Sequence, residues 1–251
     1  MAFGEDIPAA ENSAGDSPAT NAVFSVILVT AAPTGMAAEA GGAFVKIDGR
    51  EILLRAVELF LNRDNVKQIQ VVFNNDFLEE GKRKYGGHFG FSGVKVLGGG
   101  PRWIDQLVAA AGSINPEATH VLVHDAARPA VSYLDIESIM AAADKHAIAS
   151  LATPSRSVLV EVDEGGNALA YRKPEEFMNL VTPQVIKKEK FLEITRNKTE
   201  PHPSEVTLIK GSPLNVRVGG GGDASMIKAM LHMVPKPKIK APSSPFEEAQ
   251  W

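Results

Sequence analysis

The chain has 251 residues, no cysteine and a formal net charge of -4. Such a length can bury one substantial core, while the acidic balance excludes a general affinity for nucleic acid or anionic membrane, and the missing cysteines exclude disulfides and thiolate metal sites. No apolar run approaches the ~20 residues that cross a bilayer, and the N-terminus lacks the basic and apolar regions of a signal peptide, so a cytoplasmic location is expected.

Residues 1–22 are rich in Ala, Ser, Pro, Asn and acids without periodicity, and are expected to form a disordered leader. The main domain is expected over 23–234. "VFSVILVT" (23–30) predicts a buried strand, "ILLRAVELFLN" (52–62) a helix, and "IQVVFN" (69–74) a second strand. "VKVL" (94–97), the helix "WIDQLVAAAGSI" (103–114), the strand "HVLVH" (120–124) and the helix "LDIESIMAAADKH" (134–146) continue the alternation. It predicts an α/β fold, Rossmann-like, with a mostly parallel sheet, helices on both faces, and ligands beyond the carboxyl ends of the strands. "SVLVEVDEGGNALAYRK" alternates about a glycine turn and predicts a projecting β-arm over about 155–178. "VTLIKG" and "LNVRV" predict two short strands and "DASMIKAMLHM" a closing helix. The tail 235–251 carries four prolines in 17 residues and is expected to be flexible.

Three places carry candidate chemistry. The first strand runs into "TAAPTGMAAEAGG", either a phosphate-cradling loop or an ordinary connection; Pro33 removes one backbone donor from it. "GGGPR" (98–102) either approaches a ligand closely or turns tightly into a helix. In "VHDAARP", Asp125 ends a strand at the ligand edge, where a carboxylate can hold Mg²⁺, and Arg128 offers a fork suited to phosphate oxygens. The alternative is an internal Asp–Arg pair that caps the next loop. His124 reads as a hydrogen-bonded structural residue sooner than a catalyst.

Taken in order, "VILVTAAPTGM", "AFVKIDGREILLRAVELF", "LGGGPR", "VLVHDAARPAVS", "VTPQV" and "SPLNVRV" resemble the 2-C-methyl-D-erythritol 4-phosphate cytidylyltransferases of isoprenoid biosynthesis, over roughly 23–233. "VHDAARP" is the most specific of these segments. The resemblance implies a nucleotidyltransferase fold, homodimerisation through the arm, and Mg²⁺-dependent attack of a polyol phosphate on the α-phosphate of CTP. It implies catalytic roles for Asp125 and Arg128, with Asp125 also the metal ligand. It places Ala31, Ala32, Gly35, Gly99, Asp105 and Ala126 at the nucleotide, and Arg128, Arg172, Thr182 and Arg217 at the polyol phosphate.

Several family features are absent. The phosphate loop's glycine and arginine fall on Pro33 and Ala37, its lysine falls on Gly42, and Lys46, four residues on, is the candidate catalytic cation in its place. The serine near the base falls on Asp105. Two functions therefore compete: an active cytidylyltransferase, and a non-catalytic relative that binds a phosphorylated ligand or a protein partner. A dinucleotide oxidoreductase is disfavoured, because the first loop has no G-x-G-x-x-G. If Lys46 points into the first loop, the active reading gains.

Overall fold

A computed structural model describes residues 20–33 and 42–235. Most of the expected leader, nearly all of the expected tail, and the loop that contains Gly35 and Ala37 lie outside the described residues. The end of the expected leader is attached to the body: Ala22 is buried, and the Val23 N–H donates to Thr119 Oγ1 at 3.0 Å.

In chain order, the elements begin with β1 (Phe24–Val29), β2 (Lys46–Ile47), β3 (Arg50–Glu51), α1 (Ile52–Glu58), β4 (Val66–Asn74), α2 (Leu78–Phe91) and β5 (Lys95–Gly99). They continue with α3 (Trp103–Ala111), β6 (His120–Asp125), α4 (Tyr133–Ala142), β7 (Ile148–Pro154), β8 (Leu159–Val162) and β9 (Ala168–Arg172). The last are β10 (Met178–Lys187), α5 (Lys188–Asn197), β11 (Thr207–Lys210) and α6 (Ala224–Met233).

A seven-stranded sheet has the order β11-β7-β10-β6-β1-β4-β5. All neighbouring pairs are parallel except those of β10, which runs antiparallel to both β6 and β7. The fold class expected from the alternating pattern is the one observed.

In β1 every residue but Ser25 is apolar, because helices cover both faces. Along β1, Phe24, Val26 and Leu28 face one cluster with Leu53, Val57, Tyr85, Phe89, Ile136 and Ile139, from α1, α2 and α4. Ile27 and Val29 face the other, with Trp103, Leu107, Phe191 and Ile194 from α3 and α5. The period-2 alternation of Cβ directions thus divides one strand between two cores.

Four elements carry no clear sequence signal. α2 holds Gly81, Gly86, Gly87 and Gly90, poor helix formers, and is retained by burying Tyr85 and Phe89. β7 precedes the arm and β10 and α5 follow it, in stretches whose short apolar runs do not separate strand from helix. One expectation is corrected: "LNVRV" is not a strand. It is a loop over the sheet edge, with the Val216 N–H on Leu214 O at 2.8 Å and the Val218 N–H on Ala127 O at 2.9 Å.

Candidate functional site

Strands β1 and β6 end side by side, with Val29 opposite Asp125. Their carboxyl edge collects most of the expected groups. The Ala126 N–H is spent on Val29 O at 2.9 Å, so Ala126 locks the two strand ends together.

The register of β10 on β7 shifts between Val181 and Gln184, across Thr182 and Pro183, where proline has no N–H to donate. Thr182 is thereby turned to β6: its Oγ1 accepts from the Asp125 N–H at 3.0 Å and meets His124 Nδ1 at 3.1 Å. His124 Nε2 lies 3.0 Å from the carbonyl oxygen of Arg128. A carbonyl only accepts, so Nε2 carries the proton and Nδ1 accepts from the threonine hydroxyl. Burial depresses the imidazole to about 3, so it is neutral. His124 is a structural residue that sets the turn carrying Arg128.

Asp125 is fully buried. Its Oδ1 accepts from the Ala127 N–H at 2.9 Å, and its Oδ2 from Arg217 Nε at 2.9 Å, with Arg128 Nε at 3.5 Å from the same oxygen. Burial pushes the carboxyl above its ordinary value against the pull of Arg217 and then Arg128. Burial likewise lowers Arg128, opposed by Asp125. Arg128 Nη1 donates to Asn215 O at 2.8 Å, and Asn215 Nδ2 to Thr182 O at 2.7 Å. Arg128 Nε and Asn215 Oδ1 are buried without hydrogen-bond partners.

Asp135 sets the loop that brings Asn215 and Arg217. It lies in the first turn of α4 behind the N-cap Ser132, and its two oxygens take the Ser212 N–H at 3.2 and 3.1 Å. Sequence reading missed this residue. "S-x-x-D" announces the cap, but a bond across 77 positions has no local signal.

The expected metal role of Asp125 does not fit this geometry. Both its oxygens are occupied, two guanidiniums face it, and no group of three or more His, Asp or Glu that could hold a metal exists among the described residues. A hard cation seeks several open oxygens and would be repelled here. The donor set suits an anion: two guanidiniums, held by one carboxylate, with hydrogen-bonding capacity to spare.

The nucleotide side is built differently. Gln106 Oε1 accepts from the Thr30 N–H at 2.9 Å and the Ala31 N–H at 3.2 Å. Ala32 is half-buried, and Pro33 offers no donor. Gly99 is packed so closely that a Cβ would stand 2.9 Å from Gln106 Cα. Asp105 is clamped by Arg102, Nε on Oδ2 at 2.8 Å and Nη2 on Oδ1 at 2.7 Å, and this bond holds its carboxyl below the ordinary value.

Lys46 is not brought to Asp125. Its side chain is 59% exposed and its ionic partner is Glu51 at 3.6 Å, a carboxylate that also takes Lys84 at 3.1 Å. Arg172 also stays apart, bonded within the arm to Glu161 at 2.7 Å. Gly42, where the family's lysine falls, has no room for a side chain, since a Cβ would lie 2.1 Å from Val218 O. A cavity of about 780 Å³ between α1, α4 and α6, lined by Leu59, Arg63, Pro129, Tyr133, Met140 and Leu231, does not include Asp125, Arg128, Thr182 or Arg217. No helix among the described residues is long and apolar enough to cross a membrane.

The sequence profile of the 2-C-methyl-D-erythritol 4-phosphate cytidylyltransferase family matches residues 25–231. The enzyme of that name from Clostridioides difficile (strain 630) is 24% identical over 233 residues, covering 87% of this chain and 98% of that one. The crystal structure of 4-diphosphocytidyl-2C-methyl-D-erythritol synthase from Anaerococcus prevotii DSM 20548 superposes with a TM-score of 0.67 at 17% identity, over 84% of this chain and 96% of that one. The 2-C-methyl-D-erythritol 4-phosphate cytidylyltransferase structure from Thermus thermophilus gives a TM-score of 0.62 at 20% identity, over 82% and 98%. A profile match spanning most of the chain, joined to a shared fold, establishes that this protein belongs to the 2-C-methyl-D-erythritol 4-phosphate cytidylyltransferase family.

Proposed function

We propose that the chain transfers CMP from CTP to 2-C-methyl-D-erythritol 4-phosphate or a related polyol phosphate. The observation that carries this reading is the pair Arg128 and Arg217, fixed on Asp125 beside Thr182 at the carboxyl edge of β6. An oxygen of the phosphomonoester forms a bond to the α-phosphorus, and the bond from that phosphorus to the departing diphosphate breaks. No proton need be removed from the attacking oxygen. What the site supplies is alignment and charge: Arg128 and Arg217 hold the phosphomonoester, and Thr182 and His124 hold Asp125 and the Arg128 turn in place. No step is routed through a metal on Asp125.

The second reading is a relative that binds a phosphorylated ligand without transfer. It is favoured by the loop side, where Lys46 pairs with Glu51 and Gly42 admits no side chain. In both readings the arm joins two copies: Val160, Val162, Leu169 and Tyr171 are exposed on it, with Tyr171 79% exposed.

The test is diphosphate release by the full chain with CTP, methylerythritol phosphate and Mg²⁺, with binding of each ligand measured by calorimetry. Release that requires both substrates and falls in Arg217→Met supports transfer. Binding of the polyol phosphate without any release assigns the second reading.

A further inference from the structure

We propose that Gln106 governs nucleotide affinity in this protein: its side-chain amide occupies the backbone donors of Thr30 and Ala31, and a nucleotide engages them only by displacing it. The inference rests on the reading that the loops after β1 and β5 form the nucleotide side.

Gln106 is a polar residue on an apolar helical face. Its neighbours Trp103, Ile104, Leu107 and Ala110 all pack into a core, and its own side chain is 1% exposed. A buried amide requires partners, and these are unevenly shared. Oε1 takes the Thr30 N–H at 2.9 Å and the Ala31 N–H at 3.2 Å. Nε2 has only two long contacts, to Thr30 Oγ1 and to Gly100 O, each at 3.4 Å. The side chain is therefore held mainly by the loop's donors.

Those donors open the loop that leaves β1, at the carboxyl edge of the sheet, where an α/β protein binds its ligand. Two adjacent N–H groups converging on one oxygen suit a carbonyl oxygen of a base or an oxygen of a phosphate, and the amide supplies such an oxygen from within. The opposite wall is also closed by Gln106, since Gly99 packs on its Cα and Cγ and Gly100 O meets its Nε2. Thr30 and Ala31 are themselves half-buried, so a ligand or water can reach their N–H groups once the amide leaves.

The experiment is calorimetry on the full chain and on Gln106→Ala, with CTP·Mg²⁺, cytidine, tripolyphosphate and glycerol 3-phosphate as separate probes. Freeing two donors for a charged or carbonyl oxygen should tighten CTP about tenfold. Glycerol 3-phosphate, read at Arg128 and Arg217, should be unchanged. A gain shared by cytidine identifies a base oxygen as the occupant, and one shared by tripolyphosphate a phosphate oxygen. Gln106→Glu keeps an acceptor on the two N–H groups and should show no gain. Unchanged or weaker CTP binding by folded Gln106→Ala overturns the proposal. Should that variant not fold, amide NMR of the unmodified chain decides: saturating CTP must shift the Gln106 side-chain amide together with the Thr30 and Ala31 amides, and saturation without those shifts overturns it. Failure of glycerol 3-phosphate to bind the unmodified chain counts against the phosphate-site reading alone.

Discussion

Arg217 donates from Nε to Oδ2 of Asp125 at 2.9 Å, across 92 positions of sequence. One bond thus closes the last long loop onto the strand end that carries the site, and the carboxylate anchors two guanidinium groups, those of Arg217 and Arg128.

Asp125→Asn should therefore be costly. The amide leaves Arg128 and Arg217 buried with no countercharge, a change that typically costs about 3–5 kcal/mol. Urea unfolding of the two proteins measures it. A loss below about 1 kcal/mol, within the range of ordinary surface substitutions, would show that the carboxylate does not hold the pair.

Acid should destabilise the fold through His124. Its folded value of about 3 lies below its ordinary value of 6.5, so the unfolded chain binds the extra proton first. The contribution is complete above the unfolded value and is lost as pH falls from there towards the folded value. Between pH 7.5 and 5 this residue alone should remove about 2 kcal/mol of stability. Denaturant titrations at both values check the slope, and His124→Asn should flatten it by that amount. An equal slope in the variant refutes the assignment.

Gly42→Ala should destabilise the chain by about 1–3 kcal/mol or more, because the added methyl meets backbone. The Cβ would stand 2.1 Å from Val218 O, next to Arg217, and 3.2 Å from Ala127 Cβ in the turn after β6. Calorimetric melting provides the measurement. A lysine at this position would face the same obstruction, so restoring the family's cation here should fail to raise activity.

On the proposed assembly, in which the arm joins two copies, removal of residues 156–176 should leave a monomer with its sheet intact. The excursion closes on itself where the Ser155 N–H meets Phe177 O at 3.2 Å, and its strands pair only with each other. Sedimentation at micromolar concentration distinguishes the outcomes, and a dimer that survives the deletion excludes the arm as the interface.

Residues whose role is local were legible in the sequence. The apolar runs of β1 and β6 announce strands covered on both faces, and "VHDAARP" places a carboxylate and a guanidinium one turn apart at a strand end. What the sequence hides is partnership over distance. Asp125 reads as a metal ligand until Arg217 is folded against it. Lys46 reads as a spare cation until Glu51, five positions on, pairs with it across β2 and β3. Gln106 is one polar letter in a helix, and its meaning lies with Thr30, 76 positions earlier.

The antiparallel strand β10 has a consequence for how the molecule assembles. β6 and β7 are successive core strands, yet β10, made later, lies between them. Until Lys187 has been synthesised, the facing edges of β6 and β7 have no strand to pair with, and each holds buried apolar residues, Val121, Leu122 and Val123 in β6 and Ile148, Leu151 and Ala152 in β7. The whole arm must be looped out before that gap is filled. A chain still being made therefore offers two open sheet edges until β10 emerges, the kind of edge on which one chain can pair with another.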